Sequence, residues 1–470
     1  MISPGFFAEE LRRHGIDFYA GVPDSLLKFF CAWLSDNIGP SSHIIAANEG
    51  AAVALAAGHF LASGRPGCVY MQNSGEGNAI NPLASLTDAD VYSLPVLLLI
   101  GWRGCPGVHD EPQHIKQGKV TLTLLEAMGI PYDVLSADEA EASAQIAEAC
   151  RVLARGQVYA LVVKKDTFAK YEGQTMHPGY SGQTEGLNSR NYGRCPSDPL
   201  SAPDPVIADS DRQSLSREDA IRTVASAIGP CDVIVSSTGM ISRELFEYRE
   251  AAGEGHSRDF LTVGSMGHAS QIALGVALGH PERRVWCFDG DGAVIMHMGS
   301  MATVATKAKS NFVHVVFNNG AHDSVGGQPT VGLQIDLPGV ARSLGYRSVY
   351  SVSTKEDLLE VLNQIEGQTM HPQARNYGRW PSDPLSAPET SVATGDRIRP
   401  VAVGVWGSVS PSIDSPDSRQ TVIAGCDRQS QIGPVFLEII VRKGNRPDLG
   451  RPTRTPSQNR DAFMGFLKSK

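Results

Sequence analysis

No apolar stretch of the sequence is long enough to cross a bilayer. The longest, Leu94-Pro95-Val96-Leu97-Leu98-Leu99-Ile100, falls far short of the ~20 residues that a spanning helix needs. Basic residues are in the minority, 41 Lys and Arg against 50 Asp and Glu, and a formal net charge of −9 leaves no electrostatic footprint for nucleic acid. The 8 cysteines are scattered without a CxxC pair, so they read as small core residues. The start, Met1-Ile2-Ser3-Pro4-Gly5-Phe6-Phe7, lacks the basic and then apolar run of a secretory leader. A reduced, cytoplasmic setting is therefore the expectation. Charged residues, 19%, fall below the usual share of about a quarter, while 48 Gly and 29 Pro add something loop-like to a globular chain.

At roughly 100–200 residues per domain, the 470 residues make two or three domains. Up to about residue 170, short β-rich runs alternate with Ala-rich amphipathic ones. His43–Ala47, Cys68–Met71, Pro95–Ile100 and Val158–Val163 read as strands, and Gly50–Leu61 as a helix; a Gly/Asn-rich loop is expected after Met71. The alternation resumes at a helix start near Ser216-Arg217-Glu218-Asp219, with strands at Val233–Ser237, Arg284–Phe288, Phe312–Phe317 and Val435–Val441. Strands apolar on both faces and separated by helices belong in a parallel sheet. The predicted class is α/β: two doubly wound parallel-sheet domains, 1–171 and 215–470, joined by a long Pro/Ser/Gly-rich linker at 172–214. A string in that linker, Arg190-Asn191-Tyr192-Gly193-Arg194, recurs as Arg375-Asn376-Tyr377-Gly378-Arg379. Such composition buries little apolar surface, so 367–432 is expected to be a disordered insertion before the last strand.

The chemistry concentrates between 285 and 319. Asp289-Gly290-Asp291-Gly292 reads as a tight turn after a strand, a helix is expected around Met298–Lys309, and Asn318-Asn319 follows the next strand. In a right-handed βαβ unit both strand ends lie at one sheet edge, which brings Asp291 and Asn319 to one crevice. A carboxylate and an amide oxygen are hard ligands suited to Mg²⁺, and the glycines let backbone approach phosphate oxygens. Either motif alone is usually a mere turn; the pair, each at a strand end, is what carries weight.

Gly290-Asp291-Gly292 with Asn318-Asn319 resembles the signature of thiamine-diphosphate enzymes. The resemblance implies thiamine diphosphate and Mg²⁺ as cofactors. It implies Asp291, the amide of Asn319 (Asn318 being the alternative) and the Ala321 carbonyl as metal ligands. It also implies a catalytic glutamate in the other domain, and Glu49 stands there, after one strand and at the start of a helix. A carboxyl group against the aminopyrimidine would favour its imino tautomer. Gly264-Ser265-Met266-Gly267 is similar to the segment that bends the cofactor, with Met266 as the bulky residue and the Gly264 carbonyl as acceptor. Thr238, Gly239, Met240, Ser265 and His268 are implied as further contacts on the diphosphate side. Asp24 and Ser25 would lie near the reacting carbon.

Within the family, Gly21-Val22-Pro23-Asp24-Ser25, Asn73-Ser74, Asp110-Glu111-Pro112-Gln113-His114 and Asn318–Thr330 look like the decarboxylases of 3-phosphono-2-oxo acids. The expected reaction is decarboxylation of a small 2-oxo acid bearing a phosphonate. A phosphonate calls for cations and convergent donors, and Arg103, Lys116, His322, Asn73 and Ser74 are the candidates, with His114 as a proton-transfer group. Lys119, Asp323 and Ser324 lie close by in sequence. The resemblance also implies self-association, as a homodimer or larger, with the site between subunits. A sulfopyruvate decarboxylase is the nearest alternative; a carboligating synthase and a non-catalytic homologue stand further off.

Overall fold

The computed structural model describes residues 1–173, 215–368 and 433–469. Nearly all of the segments expected as linker and insertion, 172–214 and 367–432, lie outside the described residues. Two parallel sheets carry the chain. The first comprises β1 (Tyr19–Gly21), β2 (His43–Ile45), β3 (Gly67–Gln72), β4 (Val96–Gly101), β5 (Tyr132–Val134) and β6 (Tyr159–Val163). The second comprises β7 (Val233–Ser236), β8 (Asp259–Leu261), β9 (Val285–Gly290), β10 (Phe312–Asn318), β13 (Ser348–Val352) and β14 (Val435–Ile440), with a small hairpin of β11 (Ala321–His322) and β12 (Gln328–Pro329) beside it. The strand orders, β2-β1-β3-β4-β6-β5 and β8-β7-β9-β10-β14-β13, are the same topology twice. Core strands such as β4 and β10 are buried along their whole length, as a sheet covered by helices on both faces requires. Among the described residues no helix is long and apolar enough to cross a membrane.

The two units are joined by helix on helix. Glu49–Ser63 packs along Ala269–Gly279 with both helices running the same way: Gly50 faces His268, Gly58 faces Ile272 and Gly275, and Gly279 faces Ala62. A β-carbon on Gly58 would collide with the Ile272 carbonyl oxygen, and one on Gly275 would stand 2.6 Å from the Leu55 carbonyl oxygen. The glycines thus let backbones touch, and the parallel course brings the two helix N-termini, and with them the carboxyl ends of both sheets, side by side.

Two local expectations need correction. The stretch after Met71 is no loop: Asn73–Gly75 is a 3₁₀ turn and Glu76–Pro82 a helix. Its Gly and Asn serve close packing, since a side chain at Gly75 would collide with the Glu49 carboxyl group. Asp289-Gly290-Asp291-Gly292 is no tight turn either. β9 runs through Gly290 and a helix, Asp291–Met296, starts at once; the expected helix nearby spans Gly299–Lys307. The described cysteines are all free, with Cys68, Cys105 and Cys287 buried as expected but Cys231 exposed.

Glu76 is an anomaly in the first core. Its side chain is buried among Met71, Leu98, Ile100, Leu125 and Met128, and neither carboxyl oxygen has a hydrogen-bond partner. Burial pushes the acid up to about 8.

Two outcomes are expected. Gly58→Ala, which in an open helix would stabilise, is expected here to cost about 1–3 kcal/mol through overpacking, read by chemical denaturation; a more stable variant would refute the contact. For Glu76, the unfolded acid releases its proton near 4.5 and the folded one near 8, so folded protein binds more protons between them and stability falls as pH rises across that window. Glu76→Leu should flatten that slope in urea titrations at several pH values, and an unchanged slope would exclude Glu76 as its source.

Candidate active site

In open α/β sheets, ligands bind beyond the carboxyl ends of the strands, where the strand order reverses. Both sheets reverse between equivalent strands, β1/β3 and β7/β9. In the second unit a cleft opens at that point, lined by Thr238, Met240, Met266, Gly290, Asp291, Gly292, Asn319, Ala321 and His322. Asp291 follows β9, Asn319 follows β10 and Ala321 begins the hairpin, so the three expected metal ligands do meet in one cleft. Gly239 begins the helix Met240–Ala252 in a positive-φ conformation (φ 102°) with Ser324 alongside. His322 lies against Gly292, where a β-carbon would stand 2.8 Å from its Nδ1.

The donors suit a hard cation. Asp291 is buried, its carboxyl accepts from the Thr330 hydroxyl, and burial pushes it above its usual range despite that bond. The cleft's own cation, Arg217, is already held by Glu244 and Asp323 at 2.8 Å each. In the hairpin the Gly320 and His322 carbonyls accept from the Thr330 and Gly327 N–H, so the Ala321 carbonyl between them is directed away from Pro329. A carboxylate, an amide oxygen and a free carbonyl without a cation of their own fit Mg²⁺. Asn318 is otherwise engaged, donating to Glu438 and to the Gly332 carbonyl at 2.8 Å each, so Asn319 and not Asn318 faces the cleft.

Glu49 begins the interface helix, behind an Asn48 cap that accepts from the Ala51 N–H. Glu49 is 8% exposed, and its carboxyl accepts from Asn78 Nδ2 at 2.7 Å. Asn78 and Gly75 were not anticipated as site residues, although Asn78 lies in a Gly/Asn-rich stretch whose composition pointed to a loop. Gly264 and Ser265 adopt positive φ (68° and 43°) and reach across to the first unit, Ser265 Oγ lying 2.6 Å from Ser85 Oγ. His268 is buried, stacks on His297 at 4.2 Å and packs against Gly50; burial pushes it down to about 3. Ser265 and His268 therefore face the domain contact, where the expectation had them lining the diphosphate side; only Met266 of that segment lines the cleft.

A third group gathers at the carboxyl edge of the first sheet. Arg103, after β4, donates to Ser25 Oγ at 2.7 Å and grips Asp110 through Nε and Nη2 at 2.8 and 2.5 Å. Asp110 also meets His114 Nδ1 at 2.9 Å, and the Arg103 bonds foremost hold it well below the carboxylate range. Asp24 is buried beside Gly101, accepts from the Leu26 N–H at 2.8 Å, and burial pushes its pKa above the usual carboxylate value. Asn73 is buried and spends its amide nitrogen on the Arg103 carbonyl and Thr121 at 2.8 and 2.9 Å, fixing Arg103 from behind. Ser74 accepts from Gln72, and Lys116 and Lys119 are exposed on the helix Pro112–Ala127, outside these contacts.

Comparison with known proteins agrees with this layout. Residues 5–123 match the N-terminal, and residues 237–372 the C-terminal, TPP-binding domain of thiamine pyrophosphate enzymes. A phosphonopyruvate decarboxylase of Streptomyces hygroscopicus is 35% identical over 365 residues, covering 77% of this chain and 84% of its own. That of Streptomyces viridochromogenes is 34% identical over 371 residues, covering 77% and 85%. A sulfopyruvate decarboxylase of Methanosarcina acetivorans is 28% identical over 368 residues, covering 76% and 86%. Among solved structures, a benzoylformate decarboxylase from Polynucleobacter necessarius shares the fold, with a TM-score of 0.55 at 13% identity over 78% of this chain and 97% of that one. Two like sheets whose carboxyl ends meet, each matched by a TPP-binding domain, and relatives aligned across most of their own length place this chain in the phosphonopyruvate decarboxylase family of thiamine pyrophosphate enzymes.

Proposed function

We propose that the chain decarboxylates 3-phosphonopyruvate, releasing CO₂ and phosphonoacetaldehyde, with thiamine diphosphate and Mg²⁺. The observation that supports this best is the pair of phosphonopyruvate decarboxylases, 35% and 34% identical over most of their length, against 28% for the sulfopyruvate decarboxylase that aligns over a similar span. Thiamine diphosphate, when bound, supplies the electron sink for the bond pair that CO₂ leaves behind.

The chain's own groups divide the remaining work. Asp291, the Asn319 amide and the Ala321 carbonyl would hold Mg²⁺, with Thr238, Gly239, Met240, Gly290 and Gly292 framing the diphosphate. Met266 would support the cofactor and the Gly264 carbonyl would accept from its amino group. Glu49, held by Asn78, would exchange a proton with the pyrimidine ring from a site that Gly75 keeps narrow. The aldehyde carbon must gain a proton as CO₂ departs, and Asp24, Ser25 and His114 are the groups proposed to supply it. Arg103, with Lys116 and His322, would hold the phosphonate; Asp110 and Ser25 orient the Arg103 fork for two acceptor oxygens. On this reading 1–171 serves the pyrimidine and 215–470 the diphosphate. The reading includes cytoplasmic residence, a place in phosphonate biosynthesis, and a homodimer or larger assembly. Exposed apolar side chains near the site, Ile45, Val263 and Met296, on the hairpin, Val325, and in the turn after it, Leu333, support the assembly.

Purified enzyme is expected to show kcat/KM on phosphonopyruvate at least ~10² above that on sulfopyruvate or pyruvate, the margin a built anion site gives; preference for sulfopyruvate would move the chain to the alternative. Glu49→Gln is expected to lower kcat by about 10²–10⁴ with an unchanged melting temperature. Wild-type turnover by that variant would remove Glu49 from the chemistry.

A further inference from the structure

Behind the metal cleft lies a buried polar chain whose purpose is not packing. Asp323 Oδ2 accepts three bonds at once: from Asn319 Nδ2 at 2.7 Å, from Arg217 Nη1 at 2.8 Å and from the Gly444 N–H at 3.0 Å. Arg217 in turn forks onto Glu244 at 2.8 and 2.9 Å. The side chains of Arg217, Glu244 and Asp323 are only 5%, 2% and 5% exposed. One arginine between two carboxylates leaves a net negative charge, and the Asn319 NH₂ and the Gly444 N–H supply Asp323 with the further donors that a buried carboxylate needs.

An ionised carboxylate only accepts hydrogen bonds. The end of the Asn319 amide that faces Asp323 must therefore be its NH₂, and the oxygen must face the other way, toward the Ala321 N–H at 3.0 Å and the cleft. Turning the amide over would set its oxygen against a carboxylate oxygen and lose a charge-assisted bond. We infer that Asp323 is a positioning residue for the metal: by accepting from Asn319 it fixes the amide oxygen toward the cleft. This rests on the metal reading proposed above. Arg217 and the Gly444 N–H keep the accepting oxygen in place, so segments from four parts of the chain determine which way one amide faces.

The acceptor, not the charge, is what the geometry requires, and this separates two variants. Asp323→Asn can place its own amide oxygen where Oδ2 stands and serve the same three donors. Asp323→Ala cannot. Mg²⁺ is titrated into full-length protein holding a fixed concentration of thiamine diphosphate, with bound thiamine diphosphate measured by equilibrium dialysis. Asp323→Ala is expected to weaken the Mg²⁺ midpoint about 10–100-fold, the usual loss when a metal ligand's support is removed, while Asp323→Asn stays within about threefold of wild type. If Asn is as weak as Ala, charge and not orientation is responsible, and if Ala binds like wild type Asp323 has no such role; either result overturns the inference. Should the alanine variant fail to fold, a crystal structure of the metal-loaded wild type decides. An Asn319 NH₂ still bonded to Asp323 supports the inference, and a broken contact overturns it. Wild-type protein that binds thiamine diphosphate without any dependence on Mg²⁺ would instead overturn the metal reading itself, and this inference with it.

Discussion

The contact between Glu49–Ser63 and Ala269–Gly279 is the constraint on which the site depends. Gly58 and Gly275 remove the side chains that would hold the two helices apart, so backbone meets backbone. Because the helices run parallel, closeness at their middles becomes closeness at their N-termini, where Glu49 and the Gly264–His268 segment stand. Two partly positive helix ends side by side also make that edge hospitable to anionic groups. The same two helices in antiparallel array would bury as much surface and put Glu49 at the far end from Met266.

The like topology of the sheets makes the chemistry a matter of substitution at equivalent places. Asp24 after β1 corresponds to Thr238 after β7, Glu49 after β2 to the Gly264–Met266 segment after β8, Asn73 after β3 to Asp291 after β9, and Arg103 after β4 to Asn319 after β10. One unit therefore carries an acid and a guanidinium where the other carries a glycine-rich segment and an amide. On the function proposed above, the first edge would serve protons and anions of the substrate, the second a cation and phosphate oxygens.

Much of this was legible along the chain, for a physical reason. Asp291, Asn319 and Glu49 each stand just beyond a largely apolar strand, and parallel sheets are apolar on both faces, so strand ends stand out and the residues just beyond them fall at one edge. What the sequence leaves hidden depends on contacts between distant segments. Helix 76–82, with Gly77, Asn78, Asn81 and Pro82, has poor intrinsic propensity, and packing against Glu49 overrides it. Ser265 and His268 read the same whichever way their short segment faces; Ser85 and His297 decide it. Arg217 sits in an ordinary first helical turn, and nothing local announces that Glu244 and Asp323 close around it.

The place of β14 bears on how the protein is made. β10, whose end carries Asn318 and Asn319, has β9 on one side and β14 on the other, and Val313 pairs with Val435 across more than a hundred residues of chain. During synthesis the first sheet is complete once β6 emerges, with all its strands already present. The second must wait: β10 stands as an open edge through the translation of everything up to residue 435, and Glu438, which anchors Asn318, arrives with the closing strand. An exposed apolar edge of that duration invites pairing with the wrong neighbour. The first unit, folded by then and offering its Gly58 helix to Ala269–Gly279, is the surface on which the waiting half can rest.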